Sequence, residues 1–427
     1  MTGAAAVPEP LPGSDPAVRT ERDSLGELDV PADALWGIHT ARSVNTLSFS
    51  GRQLNDLPDL CRALGLVKVA AAEANEQAEV IEPAVAGAIV EAARQMADGD
   101  NRDAMVADPL AGGGAIAVHV NVNEVLANLA NLALGEPLGC YRPVHPARSV
   151  GASQSTADVV HTAGRLAVLD ATERLVDTVT ALLDALERTA ARAEGLPALA
   201  RTCLQDALAV EARLLFDGSA AAIRRRRGAL VAATDALTDV TLGSTVVGTG
   251  DGAPDAYRAA VVPILGGLVG RTLTASATPA SVLQHGDDLV AVSHANVQLA
   301  AVAAKIARDL RLLSSGPAGG FGELRLPAVM EGSSFFVGKV NPAVPETVVQ
   351  AAILVDGHHR MVESASAQAE LHLHPYDLTT VVAVLDESTV LDRALGALAA
   401  HTLEGISFNE DRSRALADQA TPTKGRP

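Results

Sequence analysis

The chain has 427 residues and a formal net charge of −18, because 51 Asp and Glu outnumber 33 Lys and Arg. An acidic surface of this size excludes nucleic acid and anionic membrane as expected partners, since both require a positively charged face. The three cysteines, Cys61, Cys140 and Cys203, are too few and too scattered for a disulfide framework or a zinc site. With no signal peptide and no apolar run of about 20 residues, the sequence predicts a soluble, cytoplasmic protein.

The first third of the chain predicts short elements and then helices. Residues 1–18, rich in Pro, Ala and Gly, are expected to be a disordered tail, and residues 19 to about 60 to form turns and short strands. Apolar residues recur at helical spacing from Leu57 to Ala97, with a break at Glu82 and Pro83. Another helix is predicted through VNVNEVLANLANLAL, and the prolines that follow it end a predicted N-terminal domain of residues 19–150.

The remainder predicts long helices. Five segments have helical periodicity and no alternating strand run is evident: 153–195, 201–240, 256–275, 285–314 and 341–370. They favour a central five-helix bundle domain, residues 151–380, followed by a shortened C-terminal domain, residues 381–427. Residues 314–342 between the last two helices are glycine-rich, and an irregular segment of this length is usually functional or disordered.

The most informative segment is GSSFFVGKVNPAVPE, residues 332–346. It combines two hydroxyls, backbone amides freed by flanking glycines, a lysine and an asparagine. This set of groups is suited to holding a carboxylate and removing a weakly acidic C–H proton. An ordinary flexible loop would have the same composition, so the residue types alone do not decide the function.

The sequence of this segment resembles the signature loop of the aspartase/fumarase superfamily, Gly-Ser-Ser-x-Met-Pro-Gly-Lys-x-Asn-Pro. The matching positions are Gly332, Ser333, Ser334, Gly338, Lys339, Asn341 and Pro342. Further blocks resemble that superfamily in the same order along the chain: RTERDSLGELDVPADALWGIHTAR, NVNEVLAN, SQSTAD, RTCLQDA and LGSTVVGTG. The resemblance covers roughly residues 19–410.

The resemblance implies a mainly α protein with an aspartase/fumarase-like long helical bundle in a three-domain architecture. It also implies a homotetramer that needs no cofactor or metal, and active sites built from three chains around a small dicarboxylate. Ser333, on a mobile loop, would remove a proton next to one carboxylate, with Ser155, Thr156 and the Ser334 region around that carboxylate. Thr202, Lys339 and Asn341 would hold the other one.

The departures from the superfamily pattern concentrate around the leaving group. In aspartases the positions of Ile116, Ala157 and Cys203 carry polar side chains that surround the departing amino group, and Phe336 stands where the signature loop has Met. A desolvated ammonium needs hydrogen bonds or a counter-charge, which this pocket does not offer. We therefore expect elimination from a 2-substituted succinate to give fumarate, with a leaving group that is not simple ammonium. We favour nitrite, from a nitrosuccinate-like substrate, because a nitro group tolerates apolar surroundings better than ammonium. A thiolate and a substituted amine or hydrazine also fit.

Two other functions remain open from the sequence. The first is conventional aspartate ammonia-lyase or fumarate hydratase activity, with polar contacts supplied by other positions. The second is an inactive dicarboxylate-binding tetramer, against which the joint presence of Ser333, Lys339, Asn341, Thr202, Ser155 and Thr156 argues.

Overall fold

The computed structural model describes residues 17–420, so the tail predicted for residues 1–18 lies outside the described residues except for its last two. The helices are α1 Ile38–Leu47, α2 Pro58–Gln77, α3 Pro83–Asp98, α4 Ile116–Ala133, α5 Thr156–Arg192, α6 Arg213–Thr234, α7 Asp255–Val269, α8 Pro279–Gln284, α9 Asp287–Leu313, α10 Ala343–Ser366, α11 Asp377–Leu398 and α12 Glu410–Ala417. The strands are β1 Val18–Asp23, β2 Gly26–Pro31, β3 Pro197–Thr202, β4 Gln205–Glu211, β5 Asp239–Val240, β6 Thr274–Ala275, β7 Leu324–Arg325 and β8 Ser407–Phe408. The prediction of a mainly helical fold is confirmed.

The chain forms two compact units, of which the first contains residues 17–156 and 252–270. It begins with the antiparallel hairpin β1–β2, and its core is the packing of α2 against α3 and α7. The break predicted at Glu82 and Pro83 is confirmed, because Pro83 opens α3 as its first residue. Helix α7, which we had assigned to the bundle, packs on α2 in this unit instead.

Helix α4 holds the first unit together through buried polar side chains. The side-chain amides of Asn121, Asn128 and Asn131 each bond to backbone groups outside the helix, and Asn128 reaches the carbonyl of Leu35. The buried Glu124 carboxylate accepts hydrogen bonds from the backbone amides of Gly37, His39 and Thr40, at the start of α1. A negative charge at a helix N-terminus is stabilised there, so the NVNEVLAN block has a structural role.

The second unit contains residues 157–251 and 271–420, and its core is a bundle of long helices. Helices α9, α10 and α11 pack on one another, and α6 packs on α9. The long helix α5 joins the bundle through Gly164, where an added methyl group would lie 2.6 Å from Val381 of α11. Of the helices described, α9 is long and apolar enough to cross a membrane by length and composition, but 56% of its apolar window is buried inside the protein. Its place in the bundle accounts for that apolar character.

One predicted helix is wrong. We expected a helix from residue 201, but residues 197–211 form the antiparallel hairpin β3–β4, and α6 begins at Arg213. The two residues of the turn, Cys203 and Leu204, have φ of 52° and 61°. Two consecutive left-handed residues define the turn that suits a two-residue hairpin, and Asn-Gly is its usual sequence signal. Because Cys-Leu lacks that signal, the sequence did not reveal the turn.

The bundle also buries an acid. Glu387 of α11 is fully buried and accepts hydrogen bonds from the Ser293 hydroxyl and the Asn296 amide, both on α9. Burial raises the pKa of Glu387 to about 7 from 4.5, although these two donors oppose the change. Between about pH 4.5 and pH 7, the folded protein therefore keeps a proton on Glu387 that the unfolded chain has lost.

We expect Glu387→Gln to remove a pH-dependent loss of stability. Because the folded pKa is raised, the stability that protonation of Glu387 contributes is fully present below pH 4.5. It is lost as the pH rises from 4.5 to about 7. The variant should therefore gain up to about 3 kcal/mol of unfolding free energy over the parent between about pH 5 and pH 8. Urea unfolding at both pH values measures this difference, and an equal offset at both would contradict it.

Candidate active site

The signature loop, residues 332–342, is held by its own backbone and side chains. The Gly332 amide donates to the Lys339 carbonyl at 2.8 Å, and the Asn341 side-chain amide donates back to the Gly332 carbonyl at 2.9 Å. These bonds tie the two ends of the loop together immediately before α10. Asn341, predicted to hold a carboxylate, thus closes the loop in this structure.

Ser333 lies at a point where backbone amides converge. Its Oγ accepts hydrogen bonds from the amides of Phe335 and Phe336, each at 3.0 Å. Two N–H donors aimed at one hydroxyl oxygen would stabilise negative charge on it, as in an oxyanion hole. Such donors make a serine alkoxide base chemically reasonable. The Lys339 Nζ lies 5.7 Å from the centre of the Phe336 ring, the residue that donates one of these amides.

Gly332 has no room for a side chain. A methyl group there would lie 2.5 Å from the Asn341 amide nitrogen and 2.7 Å from the Lys339 carbonyl oxygen, both backbone atoms. We expect Gly332→Ala to force the loop ends apart and lower kcat/KM at least about tenfold, with little effect on stability because the loop is exposed. Gly319→Ala is the matched control, because nothing lies within 4 Å of its added methyl group. Equal kinetics for the two variants would contradict the prediction.

The apolar part of the loop points into solvent. Phe336 is 58% exposed, and Val337, the next residue, is fully exposed. The Phe335 and Phe336 rings contact each other edge to face, with centroids 4.9 Å apart. Ile116, at the start of α4, is also half exposed, at 51%. Large apolar side chains left in water mark surfaces that another molecule or chain covers.

The remaining predicted residues lie on two other segments. Ser155 and Thr156, both half-buried, belong to the first unit at the start of α5, and Ala157 follows them. Thr202 and Cys203 are exposed at the tip of the hairpin β3–β4 in the second unit. Among residues 17–420 no hydrogen bond joins this tip to the signature loop. Within the second unit, hydrogen bonds therefore do not connect the hairpin tip to the signature loop.

Strained backbone accompanies these segments. Ala115 precedes Ile116 with φ of 58°, Ser153 precedes Ser155 with φ of 58°, and the hairpin tip has the two left-handed residues already described. Left-handed conformations are costly for residues other than glycine, and they persist where the surrounding structure imposes them, often at functional sites.

Two residues outside the predicted site, Lys68 and His119, support Thr156. The His119 Nδ1 lies 2.7 Å from the Thr156 hydroxyl, and the other ring nitrogen, Nε2, lies 2.8 Å from the Lys68 ammonium. Lys68 is buried on α2 and also donates to the Gln154 side-chain carbonyl at 2.7 Å. Burial, and then the charge of Lys68, holds the pKa of His119 well below its usual range, so the ring is neutral. The sequence signal was a lysine inside the apolar run of α2, two residues before a row of alanines.

One cavity of the second unit lies apart from the predicted site residues. A cavity of about 740 Å³ lies among β3, β4, α6 and α9, lined mainly by aliphatic side chains and by Arg201. The Arg201 guanidinium is already paired with Glu323 at 2.7 Å and stacks on Phe321. None of the predicted site residues lines this cavity. No cluster of His, Cys, Asp and Glu able to hold a metal occurs within residues 17–420.

Comparison with known proteins agrees with the fold and the motifs. A lyase family model matches residues 26–357. Aspartate ammonia-lyase of Pseudomonas fluorescens is 36% identical over 403 residues, which are 94% of this chain and 84% of that protein. The enzyme of the same name from Escherichia coli K12 is 33% identical over 395 residues, which are 92% and 83% of the two chains.

Solved structures of lyases also superpose on this chain. A protein described as fumarate lyase:delta crystallin from Brucella melitensis superposes with a TM-score of 0.92 at 38% identity, covering 95% of this chain and 88% of that one. A class II fumarase from Schistosoma mansoni, at 24% identity and a TM-score of 0.91, supports the fold alone. The chain belongs to this lyase family, within the aspartase/fumarase superfamily.

Proposed function

We propose that the protein is a cytoplasmic lyase that eliminates a substituent from a 2-substituted succinate to give fumarate. The observation that carries the proposal is at Ser333. Its Oγ accepts hydrogen bonds from two backbone amides, in a loop that matches the superfamily's signature motif. The relatives named aspartate ammonia-lyase support carbon–nitrogen bond cleavage as the class of reaction.

The proposed reaction begins with Ser333 as a base. Its alkoxide takes the proton from the carbon next to one carboxylate, and the bonding electrons pass onto that carboxylate as an aci-carboxylate. The extra charge needs positioned donors, which Ser155, Thr156 and Ser334 would supply. Collapse of this intermediate forms the carbon–carbon double bond and expels the leaving group with its electron pair. Thr202, Lys339 and Asn341 would hold the second carboxylate throughout.

We further propose that the enzyme is a homotetramer in which three chains complete each site. Thr202 and Cys203 at the hairpin tip, Phe336 in the loop and Ile116 on α4 are all exposed in one chain. Residues that hold a desolvated substrate must be shielded from water. Their exposure in one chain therefore supports an assembly in which another chain covers them.

The proposed leaving group is larger or less polar than ammonium. Ile116, Ala157, Cys203 and Phe336 would line its pocket, and none of them offers the charged or strongly polar partner that an ammonium requires. Nitrite, a thiolate and a substituted amine or hydrazine are members of this class, and neither the structure nor the relatives favour nitrite among them. Conventional aspartate deamination is the second candidate, because relatives that are one-third identical bear that name.

A panel of 2-substituted succinates separates these candidates. Purified protein is mixed with L-aspartate, L-malate, nitrosuccinate, a thioether succinate and N-substituted aspartates, and fumarate is followed by its ultraviolet absorbance. Turnover of a bulkier compound without aspartate would support the apolar pocket. Fast turnover of aspartate or malate would overturn the assignment of an apolar pocket. No fumarate formation from any compound of the panel would favour the dicarboxylate-binding alternative.

The pocket itself can be tested by restoring polar groups. We expect the triple variant Ile116→Thr, Ala157→Asn, Cys203→His to gain aspartate turnover by at least about 10²-fold, since it supplies hydrogen-bond partners for the amino group. The same variant should lose activity towards the compound that the parent prefers. Cys140→His, away from the predicted pocket, is the control. A triple variant with the parent's order of preference would contradict the assignment.

A further inference from the structure

A buried chain of hydrogen bonds fixes the direction in which Thr156 can donate its proton. The Lys68 ammonium carries only hydrogen-bond donors, so the His119 Nε2 beside it at 2.8 Å must accept. The Asn123 amide nitrogen approaches the same Nε2 at 3.4 Å, as a second donor. A neutral imidazole whose Nε2 accepts carries its proton on Nδ1.

The consequence falls on Thr156. Nδ1–H donates to its Oγ1 at 2.7 Å, so the hydroxyl cannot direct its own proton at the ring. The Thr156 O–H is left to donate outwards, and Thr156 is the first residue of the 37-residue helix α5.

We propose that Lys68 and His119 are positioning residues that hold Thr156 as an obligatory hydrogen-bond donor to the substrate carboxylate. This inference rests on the proposed function, in which Thr156 contacts the carboxylate that gains charge during elimination. With the opposite tautomer, Thr156 would give its proton to Nδ1 and present a lone pair to a negatively charged oxygen. The hydrogen bond from Thr156 strengthens as the aci-carboxylate forms. The chain of hydrogen bonds Lys68–His119–Thr156, called the relay below, therefore contributes to turnover as well as to binding.

The arrangement is fixed by burial. His119 and Lys68 are 5% and 1% exposed, so water does not compete for these bonds. Asn75 of α2, two turns after Lys68, donates to the Ala152 carbonyl at 3.0 Å and accepts from the Ser153 hydroxyl at 2.6 Å. Helix α2 thus contacts both the His119 ring, through Lys68, and the segment leading to Thr156, through Asn75.

The matched variants are His119→Asn and His119→Asp, which have the same shape and differ in hydrogen-bonding capacity. The Asn side chain can place an N–H donor where Nδ1 lies, whereas the Asp carboxylate can only accept and would draw the Thr156 proton inwards. We expect kcat/KM to stay within about fivefold of the parent for Asn and to fall about 10²-fold for Asp, with His119→Leu between them. The affinity for succinate, measured by calorimetry, should follow the same order.

A spectroscopic measurement tests the tautomer directly. Protein labelled with ¹⁵N-histidine is sedimented and its ring nitrogens are recorded by magic-angle-spinning NMR, with His119→Gln identifying the signal. The expected spectrum shows a neutral ring protonated on Nδ1 in the parent and a changed ratio of tautomers in Lys68→Met. Lys305→Met, an exchange at an exposed lysine, controls for the loss of charge and should leave the signal unchanged.

The outcomes distinguish the relay from the proposed function. A parent protonated on Nε2, or Asn and Asp variants that bind succinate equally, would overturn the relay. If His119 only filled space, Leu would match or exceed Asn in kcat/KM, which would also overturn it. A parent that is silent towards the whole succinate panel would overturn the elimination reaction, and the ring spectrum and the succinate affinities would still decide the relay.

Discussion

Ser333→Ala is expected to lower kcat by about 10³-fold or more while the protein keeps its fold and assembly. The hydroxyl is the proposed base, and the amides of Phe335 and Phe336 both donate to its oxygen at 3.0 Å. An alanine removes the base but leaves the loop closure through Gly332, Lys339 and Asn341 in place. Fumarate formation from the best compound of the panel measures the effect.

The control for this variant is Ser314→Ala, a half-buried serine whose hydroxyl donates to the Arg311 carbonyl and lies outside the signature loop. It should retain parental turnover. Succinate binding by Ser333→Ala should stay within about threefold, because the base acts on the transition state. If the variant kept more than about a tenth of the parental kcat, Ser333 would not be the base. A large loss of succinate affinity would assign Ser333 to binding.

The largest stability effect is expected at Arg165. Its side chain is fully buried on α5, and its guanidinium pairs with Asp288 of α9 at 2.9 Å and with Asp377 of α11 at 2.6 Å. Arg165→Met would leave two largely buried carboxylates without their counter-charge. Removing one partner from a buried ionic group costs about 3–5 kcal/mol, and chemical denaturation measures it.

Arg188→Met is the matched control, because Arg188 pairs with Glu404 where both side chains are about half exposed. That pair should contribute about 0–1 kcal/mol. Adding Asp288→Asn and Asp377→Asn to Arg165→Met should recover part of the loss, since the uncompensated charges are then gone. A single variant as stable as the Arg188→Met control would refute the importance of this ionic group.

The same group has a defined pH dependence. Burial opposes the ionisation of Asp288, but the charge and hydrogen bonds of Arg165 outweigh burial and hold the pKa of Asp288 below its usual value. A depressed pKa contributes stability above the unfolded value, 3.8, that is lost as the pH falls through the folded value. The effect is opposite in sign to that of Glu387, which has no cation beside it.

Periodicity and local chemistry were sufficient to predict much of the fold. The α2–α3 break follows from Pro83, whose missing amide suits the first position of a helix, and α4, α5, α9 and α10 follow from apolar spacing. Helix α11, Asp377–Leu398, was not among the predicted helices. The hairpin β3–β4 was missed because its turn uses Cys203 and Leu204, whose left-handed conformation is imposed by the surrounding structure. The membership of α7 in the first unit also depends on contacts with α2 that no local pattern specifies. The expected domain limits remain predictions.

The sequence by itself determined the family, the mainly helical fold and the residue types of the candidate site, because these depend on local order and on a long motif around Ser333. Tertiary structure alone decided that two backbone amides converge on Ser333, and that Lys68 and His119 support Thr156. The physical reason is that a hydrogen bond depends on where distant segments lie in space. Residues 68, 119 and 156 carry no common pattern until α2, α4 and the start of α5 are packed together.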